Sequence, residues 1–189
     1  MFSPNRARPR CPYPRWLFRK TMNMKTLLRT ALLVIATLAA SGLRAADDIL
    51  IADFEGTNYG DWKVEGTALG KGPAKGTLGG QMEVTGFRGK GLVNTFLGGD
   101  GPTGKLASPE FTLERDYITF LIGGGGHKGK TCMNLLVNGE VVLSATGPNT
   151  EPGGSEFLNW ENWDVKKYRG KKSVLQIVDA ASGGWGHIN

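Results

Sequence analysis

Glycine punctuation constrains this chain more than any other feature. Of its 189 residues 29 are glycine and nine proline, and beyond residue 45 they break the sequence into short apolar runs without helical periodicity. A helix needs an uninterrupted 3.6-residue repeat over several turns. These runs suit strands instead, since Gly and Pro between them supply turns. The spacing predicts strands at residues 49–55, 62–65, 91–96, 105–113, 117–122, 132–137, 140–146, 160–165 and 174–179. Asn138-Gly139, between "CMNLLV" and "EVVLSAT", predicts a two-residue type I′ hairpin, because both residues tolerate positive φ. The expected fold is all-β, an antiparallel sandwich of jelly-roll type, with an immunoglobulin-like strand order as the alternative.

The first 45 residues stand apart. "MKTLLRTALLVIATLAASGLRA" has a basic start, an apolar centre and small residues before Ala45, the pattern of a secretory leader over residues 24–45. Its apolar run falls short of the roughly 20 residues of a membrane span, so no stable membrane anchor is expected. Residues 1–23 read as a basic extension or an over-long start. The domain is then 46–189, secreted or periplasmic after cleavage.

Removing the leader reverses the charge. Nine of the 23 Lys and Arg precede residue 46 and all 17 Asp and Glu follow it, so the domain carries a net −3. That excludes the basic surface a nucleic-acid binder needs. Cys11 leaves with the leader and Cys132 is alone, so the domain has no internal disulfide and depends on a packed core.

Little here points to catalysis. Ser108 precedes a proline and Ser155 sits in "GGSE", neither in a nucleophile elbow. The Gly run at 123–126 follows a strand but lacks the Lys-Ser/Thr ending of a phosphate loop. Asp53 and Glu55 alternate onto one strand face, either as a solvated face or, with Asp179, as oxygen ligands of a structural Ca²⁺.

Aromatics are the stronger lead, because sugar C–H faces stack on aromatic planes and an indole N–H can meet a hydroxyl. "LNWENWDV" spaces Trp160 and Trp163 three apart, which in an extended strand sends one inward and one outward. The expected ligand-side residues are Trp185 and His187 in "GGWGHIN", with His127 across the loops and Asn134 as a further candidate. That closing "GGWGHIN" reads as a turn feeding a strand that has hardly begun at Asn189. The expectation is a fragment, or a module whose final strand lies outside this chain.

Over residues 51–189, and most specifically in "SPEFTLERDYITFLIGGGGHKGKTC" and "IVDAASGGWGHIN", the chain resembles the accessory β-sandwich module that precedes the catalytic domain in secreted levanase-like proteins of glycoside hydrolase family 32. The resemblance implies a non-catalytic carbohydrate-binding or spacer module, a fructan-type polysaccharide as partner and a family 32 catalytic domain in the complete protein. It supplies no catalytic residue, since the family's Asn-Asp-Pro-Asn-Gly-type motif does not occur here. A structural domain without a ligand, and a hydrolase in its own right, are the alternatives.

Overall fold

The computed structural model describes residues 46–189; the expected leader and basic extension lie outside the described residues. The strands are β1 (Lys63–Gly66), β2 (Gly104–Ala107), β3 (Phe111–Thr112), β4 (Tyr117–Ile122), β5 (Thr131–Val137), β6 (Glu140–Ala145), β7 (Asn159–Asp164) and β8 (Lys172–Asp179), with one 3₁₀ turn at Lys166–Tyr168. One antiparallel sheet runs β1-β2-β8-β5-β6, with β3 also on β8, and β4 and β7 form a second antiparallel pair. The all-β expectation holds.

The two sheets face each other across one apolar layer. Ile118, Ile122, Trp163 and Val165 on the β4–β7 side meet Met133, Leu135, Val137 and Leu175 from β5 and β8. Their alternation along each strand is the period of two that puts every second side chain inside. Full burial of each such side chain contributes about 1.5–3 kcal/mol. A second cluster, Tyr59, Leu69, Val93 and Leu106, closes one end. There the Tyr59 hydroxyl donates to the Leu69 carbonyl at 3.1 Å, and burial pushes its pKa up to about 12.

The β5–β6 hairpin forms as the sequence predicts, with Asn138 at φ 53° and Gly139 at φ 82°. Three expectations need correction. Residues 105–113 split into β2 and β3 because Pro109 has no N–H to give the ladder. Ser108 bridges the break, its N–H donating to the Leu175 carbonyl at 2.9 Å and its Oγ accepting the Leu175 N–H at 3.0 Å. Residues 91–96 are extended but form no strand: Leu92 makes an isolated bridge to Ala74, and the Thr95 N–H donates to the Ile188 carbonyl. Residues 49–55 are likewise not in a sheet, and Ile49, Leu50 and Ile51 are exposed. They border a groove of about 550 Å³ whose other wall is residues 108–112 and Glu114.

Candidate functional site

The Gly run that leaves β4 organises the loops at one end of the sandwich. Gly123 exchanges two backbone hydrogen bonds with Asn189, at 2.9 and 3.2 Å, and the Gly125 N–H donates to the His187 carbonyl at 2.7 Å. On its other side the Gly126 N–H donates to the Asn149 carbonyl at 2.6 Å. Chains approach so closely that a Cβ on Gly125 would strike the Trp185 carbonyl and one on Gly147 the Gly124 carbonyl. The glycines are therefore a packing requirement.

Three loops thereby converge: residues 96–101, 147–156 and 182–189. Between them lies a cleft of about 360 Å³ whose lining includes Met82, Phe96, Asp100, Glu151, Trp185 and His187. His187 is at its base, 2% exposed. Its Nδ1 is 2.6 Å from Asp100 Oδ1, and its Nε2 is 2.9 and 3.1 Å from the two oxygens of Glu156. The Asn189 side-chain amide donates to Glu156 Oε2 at 2.7 Å. Both ring nitrogens thus face acceptors, an arrangement satisfied when both carry protons. Burial alone pulls the imidazole pKa down; the hydrogen bonds to Glu156 and Asp100, with their negative charge, outweigh it and raise the value above 6.5. Phe96 meets the ring edge-on at 4.8 Å and Trp185 stacks on it at 5.6 Å.

Trp185 itself is held in the left-handed region, φ 60°, a conformation that costs a bulky residue on the order of 1–3 kcal/mol. The stack on His187 and an indole N–H bond to the Glu151 carbonyl at 2.8 Å secure it. Trp185, expected on the ligand side, is only 7% exposed and its N–H is already used. It forms a wall of the cleft.

His127 joins the cluster from the far side, its Nε2 3.1 Å from the Gly184 carbonyl. Asn134 does not; it sits in the middle of β5, opposite Ser144 and Gln176 and outside the cleft lining. Nor does the structure assemble the expected calcium ligands. The Glu55 carboxylate accepts the N–H groups of Lys90 and Gly91 at 2.7 and 2.9 Å, and Asp53 accepts the Glu55 N–H. Asp179 is buried at the end of β8, where desolvation pushes its pKa up to about 6 against the smaller opposing influence of Thr95, Ala181 and His187. Among the described residues no group of three His, Cys, Asp or Glu could hold a metal ion. Asp100 and Glu156, the partners of His187, escaped the sequence reading; their only local sign is an acid within two residues of a glycine pair in "GGDG" and "GGSE".

Against known proteins, no family model matches the chain and no solved structure does. A protein of Aspergillus rugulosus named "Putative glycosyl hydrolase ecdE" is 43% identical over 146 residues, which cover 76% of this chain and 20% of that protein. Over most of its described length the chain is thus similar to one part of a protein named as a glycosyl hydrolase. It spans about a fifth of the length of the curated relative it matches.

Proposed function

We propose that the domain is a non-catalytic accessory module, exported with a levanase-like glycoside hydrolase of family 32, which holds a fructan-type polysaccharide in the cleft beside His187. The observation that carries this reading is the position of the imidazole. A glycosidase needs two carboxyl groups facing each other across the scissile bond, with the sugar between them. Here the carboxylates of Asp100 and Glu156 do face each other, and His187 fills the space between, bonded to both. The pair therefore stabilises the cleft and leaves no room for a glycosidic bond.

What remains available suits sugar binding: the exposed Met82 and the half-buried Phe96 offer apolar surface, and Asp100, with 29% of its side chain exposed, and Glu151 offer hydroxyl acceptors. Apolar walls with a few placed polar groups are the usual composition of a small-molecule site. The fructan assignment draws on the family resemblance, and the hydrolase connection on the Aspergillus relative.

Affinity electrophoresis in levan- and inulin-containing gels tests it. Retardation that is lost in Phe96→Ala supports the reading, and unchanged migration on every fructan overturns it. Release of reducing sugar by the purified protein would overturn the non-catalytic part. A second reading, a packing domain for a catalytic unit, is favoured by the exposed Ile49, Leu50 and Ile51 along the 550 Å³ groove; it predicts no glycan retardation.

A further inference from the structure

The "LNWENWDV" stretch, which the cleft does not use, forms β7. In the β4–β7 ladder Ile118 stands opposite Trp163, and both point into the core. Cross-strand partners share a face and successive residues alternate. The pairs Tyr117–Asp164, Thr119–Asn162 and Leu121–Trp160 therefore all lie on the opposite, outer face. Leu121 is closed off by the cluster of Val84, Leu92 and Leu158. The rest is open, with Trp160 55% and Tyr117 51% exposed and Thr119 and Asn162 exposed between them.

Both rings are held rather than loose. The Arg88 guanidinium lies 5.3 Å from the Trp160 ring centroid, while Lys166 Nζ is 4.6 Å from the Tyr117 centroid and 2.7 Å from its hydroxyl. Each cation–aromatic contact favours one ring orientation before any ligand arrives. Four residues of strand separate the two aromatic positions, roughly 14 Å at the usual rise of ~3.4 Å per residue.

We propose that this outer face is a second binding surface, on which a neutral polysaccharide chain lies along β7 and stacks on Trp160 and Tyr117 while Thr119 and Asn162 meet its hydroxyls. The chemistry of the face selects that occupant. Of its two cations Lys166 is paired with Asp164 at 3.7 Å and Arg88 lies on the Trp160 ring, so an ionic partner finds little complementary field. A protein interface wants a continuous apolar centre, whereas Thr119 and Asn162 interrupt the apolar surface here. Separated aromatic planes with neutral donors and acceptors between them match alternating C–H faces and hydroxyls. The inference shares its ligand class with the function proposed above, but none of its residues belongs to the cleft.

The test is affinity electrophoresis and tryptophan-fluorescence titration of the full chain with levan, inulin and, as an anionic control, alginate. Trp160→Ala and Tyr117→Ala, both at exposed positions, are compared with the cleft variant Phe96→Ala, and circular dichroism checks that each folds. Each surface variant is expected to weaken binding about three- to tenfold, the range of one aromatic contact, and the double variant to lose more than either. Wild-type affinity in both surface variants together with loss in Phe96→Ala would leave the cleft as the site and overturn this proposal alone. Preference for alginate would overturn neutral-ligand recognition. A wild-type dimer that Trp160→Ala converts to monomer in sedimentation would show a protein contact instead. If no glycan retards the wild type, both readings fall.

Discussion

His187 Nδ1 lies 2.6 Å from Asp100 Oδ1 while its other nitrogen faces Glu156, so a single buried ring joins two loops that are 87 and 31 residues distant from it in sequence. Glu156 is 2% exposed, and removing the cation would strand its charge. His187→Gln is expected to destabilise the domain by about 3–5 kcal/mol, the cost of breaking a buried ion pair from one side. Asp100→Asn should cost less, about 1–3 kcal/mol, because that carboxylate reaches solvent. Urea unfolding of the two variants checks the order.

The same cluster sets a pH dependence. His187 has a folded pKa above its ordinary 6.5, so its contribution is complete below 6.5 and is lost as pH rises through the raised value. Asp179 is shifted from 3.8 to about 6; its relative stabilisation is present below 3.8 and is lost as pH climbs to about 6. Glu55, lowered from 4.5 by the N–H groups of Lys90 and Gly91, acts in the opposite sense, its stabilisation being lost in acid as pH falls through the lowered value. Thermal melts from pH 4 to 9 should therefore peak on the mildly acidic side and decline toward alkaline pH. Asp179→Asn should flatten the decline up to about pH 6, and His187→Gln the part above it. A wild-type melting temperature that climbs steadily from pH 5 to 9 would contradict this account.

Gly125→Ala should be poorly tolerated, since the added methyl meets the Trp185 carbonyl as well as the His187 carbonyl. Overpacking of this kind typically costs about 1–3 kcal/mol. Gly184→Ala is the matched control: nothing lies within 4 Å of its added Cβ, and a shift within about 0.5 kcal/mol is expected. Chemical denaturation of both variants separates backbone crowding from a general intolerance of change in these loops.

At the β5–β6 turn, Asn138→Val places a β-branched residue at φ 53°. The left-handed region costs such a residue about 1–2 kcal/mol, whereas Asn138→Gly should stay close to the wild type. If the Val variant melts with the wild type, the turn has another conformation in solution.

What could be read from the sequence was local. The Asn138-Gly139 hairpin follows from the chirality of two adjacent residues, and Trp160 outside with Trp163 inside follows from their spacing in an extended strand. Residues 49–55 look like a strand by composition, but strand formation depends on a partner edge, which no local pattern encodes. Residues 91–96 are largely buried, yet their N–H groups are met by an isolated bridge, by the Ile188 carbonyl and by the Glu55 and Asn94 side chains instead of a ladder. For the cleft, the sequence located the loop carrying Trp185 and His187 and the approach of His127. It could not supply Asp100 and Glu156, because an acid in a glycine loop says nothing about which ring it will meet.

The placement of residues 187–189 also bears on how the domain is made. Thr95, Gly123 and Glu156 all form bonds with this one short stretch, across separations of up to 93 residues. Contacts that close such long loops form late, after most of the chain entropy has been lost. As the polypeptide leaves the ribosome, the strands of the hairpin can pair early, while the three loops stay apart until residue 189 has emerged. Translation rate and chaperone supply near that point should therefore govern the yield of folded protein more than events at any earlier strand.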